Sequence, residues 1–222
     1  MILETDPWTR AHKLRVFRSE FLGKTKAAGK CKILNEDDIR LKYSPSKHTL
    51  IAYADKPVII ENKHLGYIIE YELMDFTVKY SGGSSGLRLV DYTFFEGSSF
   101  FKELKTKPKK RFIKNREDAF TGSLLQFMRA LSKKELEAHH FRIFYDKFEV
   151  QPYKYFDIQP DADFTKVTML ADKISILHNN QQSSIIYKSP FYIDQFGNFT
   201  PTRAFSIGGF MGQSRIARLL PL

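Results

Sequence analysis

"PVIIENKHLGYIIEYELMDFTVKY", residues 57–80, is the stretch on which the fold turns. It reads as two extended runs, 58–62 and 67–80, meeting at a polar corner that carries Glu61, Asn62, His64 and Gly66. In the longer run Tyr67, Ile69, Tyr71 and Leu73 share one face, and Ile68, Glu70 and Glu72 share the other. That is the period-two pattern of an antiparallel strand with one buried side. Three polar side chains within four residues could mark a site, but catalytic groups are usually assembled from distant segments. The corner therefore reads as a hairpin turn, with Asn62 supplying an Asx-type bond and Gly66 an unusual φ. No role falls to His64.

Working outward, the same alternation fills residues 31–101. "KCKILN", "DIRLKY", "TLIAYA", "VIIEN" and "RLVDYTFFEG" read as further strands, with turn signals at "NEDD", "SPSKH", "ADKP" and "SGGSSG" between runs. A content of 20 Phe and 11 Tyr fits pleated, half-buried surfaces. Ahead of this region, "DPWTRAHKLRVFRSEFLG" predicts a helix over 7–22, with Asp6 as N-cap, Pro7 at the first turn and Gly23 as the stop.

Residues 102–140 form a basic loop followed by helices. "KELKTKPKKRFIKNR" holds eight Lys or Arg against one Glu, and Pro108 argues against one long helix. "NREDAFTGSLLQFMRAL" is amphipathic, with Phe120, Leu124, Phe127, Met128 and Leu131 on one stripe and Asn115 as its cap. "SKKE" then resembles a capping box, predicting a second helix from Ser132 to about His140. Alternation returns over 141–222, in "FRIFYDKFEV", "FTKVTML", "KISILHN", "SSIIYKSPFYID" and "NFTPTRAFSIGG". The expectation is α+β: one domain over 1–222, mostly antiparallel sheet, with an N-terminal helix and a helical pair inserted near 113–140.

The search for chemistry gives little. The six histidines, His12, His48, His64, His139, His140 and His178, show no zinc spacing; the pair His139–His140 suits a helix end. Cys31 is the one cysteine, so the chain holds no internal disulfide. No nucleophile motif is present, and neither "GGSSG" nor "GGFMG" is a phosphate loop. Hence no catalytic, cofactor or metal set is expected. The formal net charge of +10 favours anionic partners. Its densest expression is Lys105, Lys107, Lys109, Lys110, Arg111, Lys114 and Arg116, the candidate anion-binding residues. No DNA-reading motif or ribonucleoprotein aromatic pattern accompanies them, which makes nucleic acid the weaker partner. No apolar run is long enough to span a membrane.

Four blocks occur in a telling order: "FLGKTKAAGKCKILNEDDIRLKY", "ADKPVIIENKHLGYIIEYELMDF", "KNREDAFTGSLLQFMRAL" and "SRIARLLPL". Together they resemble the C-terminal region of the Bacteroidetes carboxypeptidase-like regulatory domain-containing proteins. The shared patterns are F-L-G-x-S/T-x-x-A-x-x-C-x-I-L-N, P-L/V-x-I-x-N-x-x-L-G-Y, N-R-x-x-A-Y-x-G-S-x-x-H-F and a final R-V-A-D-L-L-P. Phe120 and Gln126 stand where the family often has Tyr and His, and Ile216-Ala217-Arg218 replaces Val-Ala-Asp. The resemblance implies a non-enzymatic cell-envelope binding or scaffold protein, partnered by another envelope protein or a glycan. Its place would be the periplasmic side if the chain belongs to a longer secreted protein, and the cytoplasm if Met1 is the true start. The alternatives are an envelope hydrolase acting on peptide or glycan, and nucleic-acid or anionic-surface binding through 102–116.

Overall fold

The computed structural model describes residues 4–81 and 89–222. The Gly-rich turn at 82–86 lies outside the described residues. The fold is α+β, mostly antiparallel sheet with short helices, as the alternation predicts. The chain forms two compact units, 1–115 with 215–221, and 116–214 with Leu222.

In the first unit, helix α1 (Arg10–Leu22) precedes β1 (Cys31–Ile33), β2 (Ile39–Ser44), β3 (Thr49–Ala54), β4 (Val58–Asn62), β5 (Tyr67–Tyr80) and β6 (Val90–Glu103). Strand order is β1-β4-β5-β3-β2, with β6 paired to β5. Because β6 runs along the whole of β5, β4 and β3 share the other edge: β4 meets 67–71 and β3 meets 77–79. A β-bulge between Leu73 and Asp75 changes the phase of β5. Tyr67, Ile69, Tyr71 and Leu73 are buried before it; Phe76, Val78 and Tyr80 are buried after it. Without the bulge, a regular strand of this same sequence would turn Asp75, Thr77 and Lys79 into the core.

Helix α1 covers this buried face. Phe17 and Phe21 are fully buried, Phe17 lying 4.7 Å from the Phe76 ring and Phe21 5.3 Å from Tyr71. The helix starts three residues later than its sequence predicts. Thr9, not Asp6, is the N-cap, its hydroxyl accepting from the His12 amide at 3.3 Å. Asp6 is otherwise engaged: it accepts from the Tyr43 and Trp8 amides at 3.0 and 2.9 Å and pairs with Lys13 at 2.6 Å. Gly23 ends the helix at φ +105°.

Helix α2 (Lys110–Phe120) spans the division between units, and α3 (Leu124–Ser132) lies in the second. The expected helical pair is present, with other bounds and caps. Gly122, at φ +71°, breaks the amphipathic run, and Ser123 caps α3 by accepting from the Gln126 amide at 3.1 Å. Asn115 is therefore inside α2 and not at a cap. No helix starts at Ser132, whose hydroxyl donates back to the Arg129 carbonyl at 3.0 Å instead of capping forward. His139 and His140 sit in turns, with His140 at φ +59°, so neither ends a helix.

The second unit continues with β7 (Arg142–Tyr145), β8 (Phe148–Val150), β9 (Phe156–Pro160), β10 (Phe164–Met169), β11 (Lys173–His178), β12 (Gln181–Tyr187), β13 (Phe191–Asp194), β14 (Phe199–Thr200), β15 (Phe205–Gly208) and a short α4 (Gly209–Gln213). Two sheets, β14-β13-β10-β9 and β15-β12-β11-β7-β8, feed one core with α3, including Phe127, Leu131, Ile143, Val167, Ile185 and Phe191. Three expected strands are split, "NFTPTRAFSIGG" into β14 and β15 of different sheets. "FRIFYDKFEV" folds back at Asp146 and Lys147, both at positive φ, which makes a tight hairpin of β7 and β8. "SSIIYKSPFYID" changes sheet at Pro190, which lacks the N–H to continue a ladder.

Candidate functional site

The polar corner between β4 and β5 is the place where the most distant parts of the first unit meet. Asn62 is fully buried. Its Oδ1 accepts from the amides of His64 and Leu65 at 3.0 and 2.9 Å, the Asx turn its position predicts. Its Nδ2 donates to the Ala217 carbonyl at 3.1 Å, which ties the C-terminal 3-10 turn Ile216–Arg218 to the hairpin. Gly66 follows at φ +82°, and a Cβ there would collide with the Phe112 ring of α2.

Asn115 closes the corner from the other side, its Nδ2 donating to the His64 carbonyl at 2.6 Å. One strand away, Asn35 does similar work. It accepts from the Ile59 amide at 2.8 Å and donates to the Pro57 carbonyl at 3.0 Å, fixing the entry to β4. Gly23 meets the same C-terminal segment, since a Cβ on it would lie 3.3 Å from the Arg215 side chain. Arg215 stacks 5.6 Å from the Phe95 ring, and burial pulls its guanidinium below its ordinary pKa while Glu20 opposes the shift.

What remains for chemistry at the corner is small. Glu61 pairs with Lys63 at 3.0 Å. The His64 ring Nδ1 lies 3.4 Å from Asn115 Nδ2, so amide and imidazole face each other without a nucleophile between them. Cys31, paired with Asn62 across β1 and β4, donates to the Ala27 carbonyl at 3.5 Å. Burial pushes its thiol up to about 12, which leaves it an inert small side chain.

Two other places carry polar groups. A depression of ≈ 230 Å³ at the β2–β3 hairpin is lined by Glu4, Lys42, Ser44, Lys47, Thr49 and Ile51. The chain's own Glu4 takes its donors: the carboxylate accepts from the Ser46 amide and from the Ser44 hydroxyl, and these bonds hold it below the usual carboxylate range. In the second unit His178 is buried beside Phe141, its ring 4.7 Å from the phenyl ring. Its Nδ1 has no hydrogen-bond partner and faces Gly122, where an added Cβ would sit 2.8 Å away. Desolvation lowers its pKa, and the charges of His140 and His139 add to this against the bond to the His139 backbone. Among the described residues no group of three or more His, Cys, Asp or Glu side chains gathers to hold a metal.

The seven basic residues singled out from sequence differ in exposure. Lys105, Lys107, Lys109, Lys110, Arg111 and Lys114 are exposed on a continuous segment of the first unit. Arg116 is half-buried and falls beyond the division. Sequence reasoning missed the corner's two remote anchors. Asn115 carried a visible signal in the "KNR" block, but Ala217 contributes only a carbonyl, which has no side-chain signature.

No family model, curated protein or solved structure matches the chain. Among the described residues, no helix is long and apolar enough to cross a membrane.

Proposed function

We propose that this chain is a non-catalytic binding or scaffold module of the cell envelope, as its resemblance to the C-terminal region of the carboxypeptidase-like regulatory domain-containing proteins implies. One observation carries the reading: the three asparagines of the shared patterns are spent on building the fold. Asn35, Asn62 and Asn115 each spend their side-chain amide on the backbone of a separate segment. Gly23 and Gly66 sit at left-handed φ against close neighbours. A signature made of such residues specifies an architecture, and function then lies on the surfaces that architecture presents.

Fractionation of the native cell and turnover assays test this together. The expected result is recovery with the envelope, crosslinks to an envelope protein or glycan, and no cleavage of peptide or glycan substrates by the homogeneous protein. Turnover that co-purifies with the chain through successive columns would establish the hydrolase reading instead. Recovery in the cytoplasm would overturn the envelope placement.

A further inference from the structure

The segment 105–114 is electrostatically costly to the fold that carries it. Lys105, Lys107, Lys109, Lys110 and Lys114 are exposed, and none forms an ion pair among the described residues, whereas Lys102 just before them pairs with Glu70 at 2.5 Å. Helix α2 opens with Lys110 and Arg111 and has no acidic residue in its first turn. Cations there oppose the positive end of the helix dipole. Lys110 and Lys114 also stand four residues apart on one helical face, a repulsive spacing. An external anion relieves both strains at once.

The side chains between the lysines narrow the kind of anion. Phe112, the aromatic of this segment, is buried, with Arg111 stacked 5.0 Å above its ring. The segment therefore has no open ring on which a nucleic-acid base could stack. Ile113 is 46% exposed, an aliphatic tip set among ammonium groups. Five lysines to one arginine favour diffuse attraction over the forked pairing by which arginine reads phosphates and bases.

We propose that residues 105–114 dock the chain on an anionic lipid bilayer surface, with the lysines at the headgroup phosphates and Ile113 at the acyl boundary. The proposal adds to the scaffold reading and does not rest on it.

Sedimentation with vesicles of phosphatidylcholine, alone or mixed with phosphatidylglycerol, tests it. The protein is expected to pellet with the mixed vesicles only, and less as salt rises. Lys107→Glu/Lys109→Glu/Lys110→Glu lowers the partition coefficient by at least about a hundredfold, at about fivefold per lysine. This variant melts no lower than the parent, because acids suit the first turn of α2. Should it misfold, Lys107→Gln/Lys109→Gln provides the same comparison with a smaller loss. Ile113→Ser weakens binding while leaving its salt dependence unchanged. Equal binding to neutral vesicles, full binding by a folded charge variant, or tighter binding to duplex DNA than to the mixed vesicles would each overturn the proposal.

Discussion

The side-chain amide of Asn62 reaches the carbonyl oxygen of Ala217 at 3.1 Å, across 155 residues of sequence. The bond is buried, and it shares its side chain with the turn that sets the β4–β5 register. A hairpin corner and the chain's C-terminal segment are thereby made parts of one structure. The first unit cannot loosen its C-terminal segment without leaving a buried amide unpaired.

Gly66→Ala tests the closeness of α2 to this corner. The new Cβ would need the left-handed conformation and would collide with Phe112. The expected loss is roughly 2–4 kcal/mol, from backbone strain and overpacking together. Chemical denaturation measures it, and Gly66→Ala/Phe112→Leu should recover the packing part but not the strain.

The bulge in β5 predicts that two changes at one residue are both tolerated. Met74 is 68% exposed, so Met74→Lys should shift stability by no more than about 0.5 kcal/mol. Deleting Met74 leaves Leu73, Asp75 and Phe76 in strict alternation, so the strand needs no bulge and keeps Phe76, Val78 and Tyr80 on the core face. The deletion should yield a soluble protein that unfolds cooperatively. An insoluble or dye-binding deletion variant would show that the strand needs the bulge.

Asp6 should make stability acid-sensitive. Burial alone raises its pKa, but Lys13 and the amides of Tyr43 and Trp8 outweigh burial and hold the carboxyl below its ordinary value. A depressed carboxylate stabilises the fold above its unfolded pKa, near 3.9, and loses that contribution as pH falls through the folded value. Asp6→Asn should therefore be less stable than the parent at neutral pH. The gap should close in acid below about pH 4.

His178 has the opposite protonation chemistry with the same direction in pH. Its folded pKa lies below the unfolded value of about 6.5, because desolvation disfavours the imidazolium. The unfolded chain takes up the proton first, so stability is full above about pH 6.5 and falls as pH drops below it. His178→Phe should flatten the stability profile between about pH 7 and pH 5. Thermal melts across that range provide the measurement.

Much of the first unit was legible because its strands alternate cleanly, and Asn62 with Gly66 spelled out their turn. The phase change at Met74–Asp75 is visible in hindsight as two successive non-core positions between Leu73 and Phe76. A continuous strand is the simpler pattern and hides it. The helical region was harder. Asn115 looked like a cap because it precedes an amphipathic run, but Gly122 broke that run and Ser123 took the cap. "YDK" hides a hairpin because Asp146 and Lys147 adopt positive φ without a glycine to announce it. The basic segment was plain from composition; which of its charges the fold engages is decided by packing, as Lys102 and Arg116 show.

The unfolding midpoint of Asn62→Ala in urea addresses the central claim, that the corner at 62–66 is architecture. The substitution removes two turn bonds and the bond to Ala217 and leaves buried backbone groups without partners. The account predicts a loss of about 2–4 kcal/mol with a cooperative transition. An unchanged midpoint, accompanied by loss of binding to an envelope partner, would contradict it and make the corner a site.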